Sequence, residues 1–213
     1  MILIDEIKEK LEILKKETEK IEEFINFRIF SLHELKEGQV GYSIDSSGNS
    51  LVSNEEGSWK GEWIVIGYEV LCGDPIIIDT KEVGFPIFTL MHGMGEWNPG
   101  SYLSESIDKF IDEINKINKF ISERTMLNTT PRVTCKSLDN LIDEIIEEDE
   151  DGDVDNWKSM LYPIYKSTKE YEDAITKKVK MMYENNMKIK DISAALNMSI
   201  QDTYIYLKRK IEE

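Results

Sequence analysis

Residues 63–97 read WIVIGYEVLCGDPIIIDTKEVGFPIFTLMHGMGEW. Trp63 to Ile66 has the β-branched and aromatic residues of a half-buried strand. Pro75 to Asp79 carries Ile76, Ile77 and Ile78 in a row after the turn Gly73-Asp74-Pro75. A run that apolar predicts a strand covered on both faces. Phe85 to His92 is the next strand, and Pro86 near its start predicts a beginning at a sheet edge, where a missing N–H breaks no ladder. Only Thr80 to Gly84 separates the last two strands, which predicts an antiparallel hairpin. The stretch as a whole predicts a meander of at least three strands.

On its N-terminal side, Asn26 to Leu32 reads as another strand. Glu34 to Gly41 turns the chain, and Tyr42 to Leu51 and Asn54 to Gly61 read as polar loops or a small hairpin. On the C-terminal side, Gly93 to Ser101 reads as a glycine-rich loop that lacks any phosphate-loop pattern. Ser104 is then placed to cap a helix whose stripe is Ile107, Phe110, Ile111, Ile114, Ile117 and Ile121. Far upstream, Ile4, Ile7, Leu11, Leu14, Thr18, Ile21 and Ile25 alternate spacings of three and four. That stripe fits a helix lying on its own domain, or the seam of a homodimeric coiled coil.

The order W-I-V-I-G, G-D-P-I-I-I-D-T, F-P-I-F-T-L-M-H-G-M-G-E-W and S-E-S-I-D-K-F resembles the SUKH superfamily over roughly Phe27 to Ile121. That group holds Smi/Knr-like cell-wall regulators and bacterial immunity proteins. The resemblance implies an α+β fold, an antiparallel or mixed sheet packed on helices. It also implies a non-catalytic, protein-binding role, either toxin neutralisation or scaffolding. The family's Leu-Pro-x-Asp-Tyr stretch and Asn-Gly-Gly turn have no counterpart here.

The 213 residues carry a formal charge of −16 and 40% hydrophobic residues. So acidic a chain suits a basic protein partner, such as a toxin or nuclease, and as a whole repels nucleic acid. The charge is uneven: from Lys177 onward eight Lys/Arg and five Asp/Glu give +3, so the first 176 residues carry −16 − 3 = −19. Cys72 and Cys135 read as two buried thiols in a reducing cytoplasm. No signal peptide is legible at the N-terminus, and no apolar run reaches membrane-spanning length.

Beyond a break at Thr125 to Pro131, Ser137 to Glu148 predicts a short acidic helix. Residues 1–125 are thus expected to form the α+β domain, 126–166 an acidic linker with a short helix, and 167–213 a small all-α unit. Asp149, Asp151, Gly152, Asp153, Val154 and Asp155 approach a calcium-loop pattern. Its first and twelfth positions hold Glu147 and Lys158, which predicts a solvated acidic segment instead. Thr168 to Tyr183 predicts a helix. Ile192-Ser193, Leu196, Asn197-Met198-Ser199, Thr203 and Leu207 then match a helix-turn-helix spacing. This segment resembles the C-terminal helix-turn-helix of sigma factors and resolvases over about 20 residues. On DNA, Gln201, Asp202, Tyr204 and Ile205 would face base edges, and Lys208, Arg209 and Lys210 the phosphates.

No catalytic, metal or cofactor motif is legible. The chain has two histidines, no H-E-x-x-H and no C-x-x-C. His92 and Glu96, near Asp74 and Asp79, form the sole acid–base grouping the strand order brings together. The expected protein-contact surface is the sheet rim: Trp59, Trp63, Asp74, His92, Glu96 and Trp97. Aromatics beside carboxylates suit a basic partner.

Overall fold

The computed structural model describes residues 5–91, 97–127, 130, 132–149 and 152–210. The chain forms five strands: β1 (Phe27–Ile29), β2 (Trp63–Glu69), β3 (Pro75–Asp79), β4 (Ile87–Met91) and β5 (Asn98–Ser104), of which β2, β3 and β4 are rich in β-branched and aromatic residues. They form one sheet in chain order, each antiparallel to the next. The α+β class and the meander therefore hold. Two details differ. β5 occupies part of the stretch expected to be a glycine-rich loop, because pairing with β4 overrides the weak strand preference of Asn98, Pro99 and Gly100. Pro86 does not mark an edge strand, since β4 lies between β3 and β5. Pro86 precedes the ladder and needs only its carbonyl, which accepts from the Asp79 N–H at 3.1 Å.

The sheet is apolar on both faces. Ile64, Ile66, Ile76, Ile78, Ile87 and Leu103 point into the main core, and Trp63, Val65, Ile77, Phe88 and Leu90 point the other way. All five residues of β3 are buried, as its sequence predicts. The inner face is covered by α1 (Asp5–Glu19) and α2 (Ile107–Thr125), which pack together. The N-cap of α2 is Ser106, not Ser104, and its hydroxyl accepts from the Lys109 N–H. Ser104 is the last residue of β5. In α1, Ile7, Leu11 and Leu14 are buried with Ile21 and Ile25 in the chain's own core. From Ile7 to Ile25 the stripe packs on its own domain, the first of the two readings; Ile4 lies outside the described residues.

The stretch expected to be an acidic linker is helical and packed: α3 (Cys135–Glu148), α4 (Val154–Met160) and the start of α5 (Tyr162–Glu184). Leu138, Leu141, Ile142, Ile145, Trp157, Met160, Leu161 and Ile164 complete the same core that the sheet and α2 form. The acidic composition lies on the outer sides of these helices, so it does not prevent the inner stripe from docking. Asp149 is buried rather than solvated: its carboxylate accepts from the Ser104 hydroxyl at 2.6 Å and the Glu105 N–H at 2.9 Å. Asp153 caps α4 by accepting from the Asn156 N–H at 2.8 Å. These two carboxylates, read in sequence beside a calcium-loop pattern, anchor backbone instead. Asp151 lies outside the described residues.

The second half of α5 carries a separate small core with α6 (Ile189–Leu196) and α7 (Ile200–Lys208), made of Ile175, Val179, Ile192, Met198 and Tyr206. Among the described residues, no helix is long and apolar enough to cross a membrane.

Candidate functional site

The C-terminal helices are positioned by local chemistry that the spacing encodes. Asn197 ends α6 in the left-handed region, at φ 52° and ψ 47°, a conformation asparagine tolerates better than most residues. The small Ser193 is buried at the crossing, and its hydroxyl donates to the Met198 carbonyl at 2.6 Å. Ser199 starts α7: its hydroxyl accepts from the Asp202 N–H at 2.9 Å and donates to the Asp202 carboxylate at 2.6 Å. Thr203 is buried, and its hydroxyl donates to the Ser199 carbonyl at 2.8 Å. The result is a helix-turn-helix whose second helix, α7, packs on α5 and α6.

The outward face of α7 is Ile200, Gln201, Tyr204, Ile205 and Lys208, all exposed. Ile200, Tyr204 and Ile205 are each at least half exposed. Of the seven residues the sequence assigns to DNA, Gln201, Tyr204, Ile205 and Lys208 share this face, and Lys210 is exposed just beyond it. The Lys208 ammonium lies 5.5 Å from the Tyr204 ring centre. Two of the seven are engaged within the chain. Asp202 is half-buried and tied to Ser199 as the helix cap. The Arg209 guanidinium pairs with Glu172 at 2.8 Å and Asp173 at 3.5 Å, so a phosphate would compete with two carboxylates for it.

Glu172 joins this unit to the rest of the chain. It is buried on α5 and accepts from the Tyr206 hydroxyl at 2.8 Å. Its other oxygen takes Arg209 and, at 3.5 Å, the Cys135 N–H at the start of α3. Burial and the Glu172 carboxylate push both the Tyr206 hydroxyl and the Cys135 thiol upward, the thiol to about 11. Around the helix-turn-helix, Lys177, Lys178, Lys188, Lys190 and Lys210 are exposed. Among the described residues none of these five has a carboxylate partner.

The sheet-rim surface looks different from its expectation. Trp59 and Trp63 are buried, at 1% and 7% exposure. The loop before β2 folds over the outer face of the sheet, and Tyr42, Trp59, Trp63, Trp97 and Phe88 stack there edge to face or tilted. Both indole N–H groups of the buried pair are used: Trp59 donates to the Trp63 carbonyl and Trp63 to the Asp79 carboxylate, each at 3.2 Å. These tryptophans form a second core because apolar area on both faces of the sheet must be covered. Trp97 is half-buried at its margin. His92 and Glu96 lie outside the described residues. Asp74 sits at the β2–β3 turn, where the Cys72 thiol lies within hydrogen-bond reach of the Glu69 and Asp74 carboxylates.

Glu69, Cys72 and Asp74 place three possible metal-ligand atoms within 4.8 Å of one another, a grouping the sequence reading does not contain. Burial first, and then the two carboxylates, push the Cys72 thiol up to about 12. The thiol therefore holds its proton at neutral pH, and a metal would have to displace it. Cys72 is exposed and Cys135 half-buried, so neither is the buried thiol expected. Both thiols are shifted away from the thiolate, opposite to the direction nucleophilic chemistry needs.

Several groups have no sequence signature. Glu113 is buried on α2 beside Asp149 and Ser104, and burial followed by the Asp149 charge pushes it up to about 9. Its position in an Ile-rich helix stripe is the one hint available. Arg124 and Arg132 line a cavity beside α5 and carry no motif at all. No protein-family model, curated protein or solved structure matches this chain.

Proposed function

We propose that the chain is a non-catalytic binding protein that contacts duplex DNA through α7, with the α+β body as the platform that holds it. The observation that carries this reading is the outward face of α7. Gln201 offers an amide of the kind that pairs with adenine, and Tyr204 and Ile205 offer apolar surface for a thymine methyl. The exposed lysines on α5, at and within α6, and beyond α7 supply phosphate contacts. The net −19 of the first 176 residues opposes this locally positive end. Affinity is therefore expected to be weak and steep in salt.

The test is fluorescence anisotropy of the full chain with random duplex at about 50 mM salt, where phosphate contacts count most. Lys188→Ala with Lys190→Ala should weaken every duplex alike and lower the salt slope by about 2. Gln201→Ala with Tyr204→Ala should instead flatten preference among sequences. No binding at that salt overturns the reading.

A second reading rests on the apolar character of the same face: Ile200, Tyr204 and Ile205 also fit a hydrophobic groove on a protein partner. The SUKH resemblance and the acidic body favour a basic partner of the toxin or nuclease type. A pull-down with the full chain and with Ile205→Glu separates the possibilities. A basic protein recovered by both would engage the α+β body, and one lost with Ile205→Glu would engage α7.

A further inference from the structure

We propose that the groove between the end of α2, the segment after it and α5 binds a small phosphate-bearing ligand with an aromatic ring, a nucleoside phosphate. The groove encloses about 520 Å³, within the range of small-ligand sites. Arg124, Arg132, Thr130, Ser167, Thr168 and Tyr171 line it, and no carboxylate does among the described residues.

That lining stands out against the rest of the chain. The sequence has 42 acidic residues and four arginines. Arg28 pairs with Glu34, and Arg209 pairs with Glu172 and Asp173. The other two arginines both line this groove, and among the described residues neither has a carboxylate partner. Guanidinium groups are matched to phosphate oxygens in geometry and charge.

Both arginines are also held in place. The Arg132 guanidinium donates to the Thr125 carbonyl at 2.9 Å, and that of Arg124 lies 5.1 Å from the Phe120 ring centre. Holding a side chain before the ligand arrives lowers the ordering cost of binding. The Thr130 and Thr168 hydroxyls add neutral polar groups, and the Ser167 hydroxyl, which donates to the Ile164 carbonyl at 3.1 Å, can accept. Tyr171, about half exposed, gives the groove an aromatic face for a base.

The groove also touches the helix-turn-helix. The Thr130 N–H donates to the carbonyl of Asn197, the turn residue between α6 and α7, at 3.2 Å. A ligand that orders Thr130 thereby acts on the turn that sets α7. This coupling rests on the DNA reading above; the binding site itself does not.

The experiment is isothermal titration of the full chain with AMP, with inorganic phosphate and adenosine as separate arms. AMP should bind, and Arg124→Ala with Arg132→Ala should weaken it about tenfold or more, as loss of charged hydrogen bonds implies. Tyr171→Ala should weaken AMP and leave phosphate unchanged. Circular dichroism confirms that each variant is folded, and single Arg→Gln variants replace the double one if it is not. Failure of both AMP and phosphate to bind, or equal AMP affinity in the folded arginine variants, overturns the site. Phosphate binding as tightly as AMP overturns the nucleoside part. Duplex affinity measured with and without saturating AMP tests the coupling. An unchanged duplex affinity sinks the coupling alone, whereas absence of any duplex binding sinks the DNA reading and leaves the groove standing.

Discussion

The side-chain amide of Gln39 pairs with the backbone of Val65 as a strand residue would. Its Nε2 donates to the Val65 carbonyl at 2.8 Å, and its Oε1 accepts from the Val65 N–H at 3.1 Å. β1 ends at Ile29, so Val65 has no strand partner on that side. Gln39 supplies one from the loop that covers the tryptophans, and both residues are buried.

Gln39→Leu should therefore destabilise the chain by about 1–3 kcal/mol, the cost of leaving a buried N–H and C=O unpaired. Urea unfolding followed by circular dichroism measures this. The near-ultraviolet tryptophan signal should be lost at lower urea than in the parent, because the same loop holds Trp59. An unchanged midpoint would mean that water replaces the amide.

Gly67→Ala should be among the most damaging single-methyl additions. A Cβ at Gly67 would meet the Arg28 carbonyl oxygen at 2.1 Å, and backbone cannot move aside as a side-chain tip can. The position lies at the β2–β3 register shift, where β1 also pairs. The expected cost is about 1–3 kcal/mol, typical of forced overpacking. Thermal unfolding of the variant reads it out, and a melting temperature equal to the parent's would contradict the geometry.

Glu113 predicts a pH dependence with a definite sign. Its folded pKa of about 9 lies above its ordinary value of 4.5. The folded chain thus keeps a proton that the unfolded chain gives up. The contribution is complete below pH 4.5, falls as pH rises, and is exhausted once Glu113 itself ionises near pH 9. The slope over that window is about 1.4 kcal/mol for each pH unit at most. Glu113→Gln removes the titration, so the variant should gain stability over the parent as pH rises from 5 to about 9. Urea midpoints for both proteins across that range decide it, and parallel curves would sink the prediction.

Removing the Arg209 guanidinium should loosen the C-terminal unit selectively. Arg209→Ala leaves the buried Glu172 with the Tyr206 hydroxyl and the Cys135 N–H as partners. The local cost is about 1–3 kcal/mol, as for a buried charged group that loses a partner. Hydrogen exchange should rise in α6 and α7 and stay unchanged in β2 to β4. Exchange that rises uniformly would show that both cores unfold as one unit.

Periodicity and turn chemistry in the sequence determined most of the elements. The isoleucine run of residues 76–78, the stripes of α1 and α2, and the Ser193–Asn197–Ser199 spacing each encode their own local structure. They do so because neighbours in sequence decide a strand, a helix face or a cap. The outward residues of α7 were legible for the same reason. What tertiary structure alone decided was exposure and partnership. Trp59 and Trp63 are aromatic residues that suit a contact surface as well as a core, and the loop folded over the sheet is what buries them. The acidic run of residues 147–155 looked like a linker because composition reports the wet side of a helix and not the dry one. Arg209 resembled a phosphate contact until Glu172, 37 residues upstream, was brought against it. Pairings at that separation carry no local signal: they exist only when independent elements pack, and the burial of apolar area selects which elements meet.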